Sequence, residues 1–288
     1  MKSLLFLTIL MLGNYFSCLS QTKAQPSLVK GLDHIPIAVR NLDSAADCFR
    51  KLGFVLKPGT LHGDGISNQH VKFSDGSELE LITAVEVTDQ LTTEYRQLLA
   101  EGEGPAFVGL FSPDLRRLKS NLDALGVNNN YDGGLIDFSA GNYLHSFFFG
   151  RRNHSPTDKP ANFKHPNTAT ALIGVWIATD RFNDESEFLK KLNIVTRMQW
   201  VNVPNLVKLP VAHLQHGDIV FLPASRQLTP LHEIIGATIR VRSLMAAAEA
   251  LRKAKIQIPP VVKNGNRKSL FLAPSLTHGT WLEFAQFN

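Results

Sequence analysis

Cysteine is nearly absent from this chain: among 288 residues only Cys18 and Cys48 occur, so no framework of internal disulfides holds the fold. Neither a glycine-rich phosphate loop nor a serine-centred nucleophile elbow is present, which removes the commonest routes to phosphoryl and acyl transfer. The formal charge of +5 is scattered over isolated pairs, Arg116-Arg117, Arg151-Arg152, Lys190-Lys191 and Arg267-Lys268. With no basic stripe interleaved with aromatics, no nucleic-acid partner is expected. The mild basic balance leaves room for a cleft that draws in anionic small molecules. An apolar run long enough for a stable membrane span is missing as well. Leu4 to Leu12 is almost wholly apolar, but Gly13, Asn14 and Tyr15 interrupt it before the roughly 18 to 20 residues a span needs.

What is present reads as a globular protein behind a leader. Hydrophobic residues make up 44% of the chain and charged residues 19%, enough for one large core or two ordinary ones. Lys2 opens a positive start, the apolar segment follows, and Ser17 to Gln21 offers small residues for cleavage. Residues 1–20 therefore read as a signal peptide and the protein as exported, to the periplasm or beyond the cell. A lipoprotein anchored at Cys18 is the alternative. After cleavage Cys48 is the single cysteine, and it reads as packing on a helix.

Period-2 alternation puts Ile35, Ile37 and Val39 on one face of a strand and His34, Pro36 and Ala38 on the other. In a later strand Leu79 and Leu81 oppose Glu78, Glu80 and Ile82. One imidazole and one carboxylate thus share a side of a sheet, which is half a metal site. Between the strands, Ser44 to Leu52 reads as an amphipathic helix capped by Asp43 and left at Gly53. The unit recurs. Ile37 to Ala46 aligns without gaps on Ile239 to Ala248, and Ile37 lies 43 positions before Glu80 as Ile239 lies 44 before Glu283. Weaker copies begin at Ala106 to Phe111, with a helix opened by Ser112 and Pro113, and at Ala171 to Ala178, with a helix near Asp184 to Leu192. The expected architecture is α+β, with four βαβββ modules: a first pair over 31–150, a join over 151–168 and a second pair over 169–288.

The segments Asp33 to Asp43, Leu52-Gly53-Phe54, His62 to His70, Asp75 to Ile82 and His165 to Ala169 resemble the glyoxalase-like branch of the vicinal oxygen chelate superfamily, in which glycine often stands where Thr168 is. The resemblance implies paired modules with curved mixed sheets enclosing a cavity. It also implies a divalent metal (Zn, Mn, Fe or Ni) held by a first-strand His or Glu and a last-strand Glu from each of two modules. His34 and Glu80 fall on such positions as metal ligands, and Glu283 matches the distal carboxylate, as third ligand or general base. Glu80 and Glu283 are thereby the catalytic candidates. The place of His34 is taken by Gly236 in the fourth module and by Gly174 in the third, where Phe221 stands near the place of Glu80. The second module offers only His145.

His62, Asn68, His70 and His165 are expected to line the pocket. Arg240, on the face of its own module, is the residue that would otherwise neutralise Glu283. The function expected is that of an exported, metal-dependent lyase or isomerase acting on a small oxygen-rich or carbonyl molecule. The alternatives are a metal-free protein that sequesters a small molecule, as bleomycin-resistance proteins do, and an extradiol-type dioxygenase. The partner in each case is a small-molecule substrate or ligand, with a homodimer left open.

Overall fold

His34–Ala38 forms the strand its alternation dictates. Ile35 and Ile37 are fully buried in one core with Ala45, Ala46 and Phe49 of the helix Leu42–Lys51, while His34 and Pro36 face a cavity on the other side. The computed structural model describes residues 26–288 apart from positions 64 and 153, so the leader read over 1–20, with Cys18, lies outside the described residues. Asn41, not Asp43, caps the helix: its side chain accepts the Ser44 N–H at 2.8 Å. Asp43 sits instead in the first turn, where its charge suits the positive helix end. Beyond Leu52 the chain leaves at Gly53 with φ 85°, the left-handed exit that favours glycine.

Four βαβββ modules follow in order. The first adds strands Lys57–Leu61, Ile66–Lys72 and Glu78–Ala84. The second comprises Val108–Phe111, helix Leu115–Ala124, Asn130–Tyr131, Ile136–Asp137 and Phe147–Gly150. Its helix is capped by Asp114, whose side chain accepts from the Arg117 N–H, and not by Ser112, which is buried. The third holds Ala169–Thr179, helix Phe182–Lys191, Thr196–Asn202, Leu206–Leu214 and Gly217–Pro223, and the fourth Ile234–Val241, helix Leu244–Lys253, Val262–Asn264, Arg267–Leu272 and Trp281–Phe287. Glu80 and Glu283 both stand in last strands, opposite Pro36 and Thr238 respectively.

The second pair of modules makes one eight-stranded mixed sheet, joined through the antiparallel contact of Ala169–Thr179 with Ile234–Val241. Its two edges curl toward each other until Asn264 Nδ2 donates to the Trp200 carbonyl at 3.1 Å, which gives a nearly closed barrel. In the first pair the matching ladder is broken. Gly31–Leu32 pairs with Val108–Phe111 and Ile37–Ala38 with Gly104–Pro105, with Pro36 between them lacking the N–H a continuous ladder needs. Two five-stranded sheets result. The architecture is the α+β arrangement of curved mixed sheets that the sequence predicts.

One contiguous core runs through both halves, from Ile35 and Phe49 to Leu172 and Phe284. The join is stitched by polar side chains. Val55 N–H donates to His165 Nδ1 at 3.0 Å, so the ring carries its proton on Nε2, which donates to the Lys72 carbonyl at 2.8 Å. Burial holds the pKa of His165 below its ordinary value. Asn167 Nδ2 donates to the Leu52 carbonyl at 3.0 Å. Thr168 has φ 61°, a left-handed backbone that favours glycine; its hydroxyl accepts the Ser243 N–H at 3.0 Å.

Candidate functional site

A cavity of about 590 Å³ opens on the concave side of the first module pair, within the range usual for small-molecule sites. Its polar wall is the cavity face of three neighbouring strands. Glu80 uses both carboxylate oxygens: Oε1 accepts from Asn68 Nδ2 at 2.6 Å, and Oε2 lies 3.6 Å from His34 Nε2. Asn68 also reaches His62 Nε2 at 3.3 Å. On its far side the His34 ring meets Asp33 Oδ2 at 3.2 Å, and Gly150 leaves room for that carboxylate, since a Cβ there would lie 2.3 Å from Asp33 Oδ2.

Burial alone lowers the pKa of His34, but the hydrogen bond and charge of Asp33 and the charges of Glu80 and Glu78 outweigh it and raise it to about 9. His34 is therefore an imidazolium at neutral pH. Burial pushes Glu78 the other way from its partners. Its hydrogen bond with His70 and the positive charges of His34, His70 and Lys72 prevail and bring it to about 2. Glu78 is ion-paired to the buried Lys72 at 2.7 Å, and the join contributes Asp158, which pairs with Lys57.

The opposite wall is apolar, and the strand register says why it matters. Gly109 pairs with Phe148 in the second module as Pro36 pairs with Glu80 in the first, so Phe148 occupies the place of Glu80 and Phe107 that of His34. The Phe148 ring packs edge-on against the His34 ring at 4.8 Å. A helix that the sequence pattern did not reveal, Gln90–Glu101, closes the mouth. Asp89 caps it through Thr92, and Tyr95, Leu98 and Leu99 pack on Ala38, Ile66 and Ile82. It brings Glu94 within 3.2 Å of His145 Nε2, whose Nδ1 donates to the Phe138 carbonyl at 2.7 Å. Apolar residues at 91, 95, 98 and 99, behind an Asp89-x-x-Thr92 cap, are the signal that would have found it.

The structure thus brings His34, Glu80, His62, Asn68 and His145 to one cavity, and leaves three expected residues elsewhere. His70 points to the ionic end beside Glu78. His165 is the buried clamp of the join. Glu283 belongs to the second module pair, fully buried, where it accepts from Arg267 Nε at 2.9 Å, from Thr238 Oγ1 at 2.8 Å and from Ser269. Arg267, rather than Arg240, neutralises it; Arg240 stacks over the Phe287 ring. Gly236, in the place of His34, lets the Trp176 indole lie against the backbone, with Trp176 Cε3 2.5 Å from where a Cβ would be. The indole therefore takes up part of this second cup and leaves a cavity of about 180 Å³ beside it.

A metal site of the expected kind needs donors from two modules, and the donor set here does not fit one. His34 and Glu80 face Phe107 and Phe148, both Glu80 oxygens have protein partners, and Glu283 is remote. Among the described residues no group of three or more His, Cys, Asp or Glu is arranged to hold a metal. The charge of the cavity also differs from the basic cleft that the net charge permits: Glu80, Asp89, Glu94 and Asp137 line it.

Paired βαβββ modules around a cavity define a vicinal-oxygen-chelate fold. The chain matches the glyoxalase-like domain over residues 32–193 and belongs to that family. It resembles a catechol 2,3-dioxygenase at 15% identity, covering 90% of this chain and 88% of that one with a TM-score of 0.64. A mutant 4-hydroxymandelate synthase from Streptomyces coelicolor is similar at 10% identity, 90% and 93% coverage and TM-score 0.64. A xylose isomerase-like TIM barrel/4-hydroxyphenylpyruvate dioxygenase fusion protein is similar at 11% identity and TM-score 0.64; 91% of this chain matches, but it spans only 50% of that one. No curated protein matches the chain. At these identities the likeness is one of fold.

Proposed function

We propose that the chain is an exported small-molecule-binding protein that works without a metal held in the family manner, its first-pair cavity enclosing a flat apolar molecule with a cationic or donor-rich group. The observation that carries this reading is the pair Phe107 and Phe148, standing where a second module would supply ligands. The phenyl rings and Tyr95 favour a planar body, and the four carboxylates around the cavity, set beside the His34 imidazolium, favour a positively charged group. Proflavine, a fluorescent planar cation, is a direct probe. Binding should be saturable and weaken by about tenfold or more in Glu80→Gln and in Phe148→Ala, with purified protein carrying substoichiometric metal. One metal per chain, lost in both His34→Ala and Glu80→Gln, would overturn the reading.

The same wall supports a second reading, a lyase or isomerase without metal, because an acid and a carboxylate base stand side by side: protonated His34 beside Glu80. Under that reading Glu80→Gln abolishes turnover of a bound substrate while leaving its affinity within a few-fold. Export belongs to the proposal too. Intact mass of the protein recovered outside the cytoplasm should lack residues 1–20; a mass retaining Met1 would refute cleavage.

A further inference from the structure

The second module pair carries a polar row of its own. Across its sheet His213, Asp218, Gly174, Thr238 and Glu283 are successive cross-strand partners, so their side-chain positions share one face, that of the cup. Gly174 is the gap in the row: a Cβ there would lie 2.8 Å from Thr238 Oγ1. The cavity of about 180 Å³ is lined by Gly174, by Asp218 and Thr238 on either side of it, and by Arg267 and the Trp176 indole. Each polar group at this cavity is fixed by a second partner. Asp218 Oδ1 accepts from His213 Nδ1 at 2.7 Å, and Gln199 Nε2 donates to His213 Nε2 at 2.5 Å, which leaves Asp218 Oδ2 and Gln199 Oε1 as acceptors for a ligand. Arg267 turns Nε and Nη2 to Glu283, and its Nη1 makes no hydrogen bond among the described residues. Trp176 Nε1 donates to Thr238 Oγ1 at 3.2 Å, and that hydroxyl donates to Glu283 at 2.8 Å, which sets the plane of the indole.

We propose that this second cup is a binding site for one neutral monosaccharide ring. Size comes first. The cavity lies below the roughly 300 to 1,000 Å³ of a drug-sized site, and at the liquid share of about 30 Å³ per molecule it corresponds to about six waters, a volume suited to a single ring bearing hydroxyls. Charge comes second. Glu283 is saturated by Arg267, Thr238 and Ser269, so it has no oxygen left for a cation, and Arg267 is neutralised by Glu283, so an anion gains little from it. What remains is a set of fixed acceptors and donors: the second oxygen of Asp218, the Nη1 of Arg267 and the carboxamides of Gln199 and Asn202 at the rim. A carboxamide offers both a carbonyl and an amino group, and a hydroxyl both donates and accepts. Hydroxyl groups therefore match this wall, with Asp218 taking the strongest bond because its acceptor is ionised. The Trp176 ring supplies the apolar surface that the C–H face of a sugar needs.

All three tryptophans of the chain, Trp176, Trp200 and Trp281, lie in the second module pair, so intrinsic tryptophan fluorescence reports on this cup and not on the first-pair cavity. The full chain is titrated with D-glucose, D-galactose and D-mannose up to about 50 mM, well above the millimolar Kd expected of one ring, with L-serine and choline as charged controls. Saturation-transfer NMR on each sugar reads binding independently of the fluorophore. At least one hexose should give a saturable change. Its affinity should weaken by about tenfold or more in Asp218→Ala and by a few-fold in Gln199→Ala, while proflavine binding in the first-pair cavity stays unchanged in both. Urea midpoints check the fold of each variant, and should Asp218→Ala fail to fold, Gln199→Ala decides on the same criterion. No saturable response to any of the three sugars by either method, affinity unaltered in Asp218→Ala, or a response to serine or choline in place of the sugars would overturn the proposal.

Discussion

Replacing Arg267 by alanine should destabilise the second module pair by about 3 to 5 kcal/mol, the cost of stranding a buried charge. Glu283 is fully buried, and of its three side-chain partners only Arg267 carries charge; without it, Thr238 and Ser269 alone are left to bond the buried carboxylate. Arg267 also lies 5.8 Å over the Phe287 ring, so truncation removes packing as well. Urea denaturation at pH 7 reads the loss. Replacing both members together, Arg267→Met with Glu283→Leu, should recover most of it, because the penalty belongs to the unpaired charge and not to the missing pair. A midpoint unchanged in Arg267→Ala would show that the two hydroxyls suffice.

Stability should also fall between pH 7 and 9.5, and His34 should account for part of the fall. A histidine raised from 6.5 to about 9 in the folded state contributes stability that is fully present below 6.5 and lost as pH rises through 9. The full shift corresponds to about 3 kcal/mol, an upper value for a ring with some solvent access. His278, also raised to about 9, shares this limb. His34→Gln should therefore flatten it in part, and His34→Gln with His278→Gln almost completely. Glu78 works in the opposite window: lowered from 4.5 to about 2, it contributes stability above 4.5 that disappears as pH falls toward 2. Denaturation midpoints across pH 2 to 10 test both limbs. An alkaline limb unchanged in the double variant would remove the imidazolium assignment.

The sequence by itself determined the modules. Strand alternation around Ile35 and Leu79, helix faces bearing Ala45 and Phe49, and the recurrence of Ile37 to Ala46 at Ile239 to Ala248 are local patterns, because side-chain direction in a strand or helix follows from backbone period alone. They also put His34 and Glu80 on one wall, since both lie in neighbouring strands of one module. Only the tertiary structure decided what faces that wall. Phe107 and Phe148 reach it through the pairing of a second module, and Glu94 and Tyr95 arrive on a helix whose value lies in where it packs. Glu283 carries the same local pattern as Glu80, yet Arg267, Thr238 and Ser269 close around it, a difference set by residues many positions away in the chain. His278 meets Glu103 across 175 positions, brought there by the docking of two module pairs. Period and register are short-range properties of the backbone, whereas a site is a convergence of surfaces, and convergence follows from how whole modules pack.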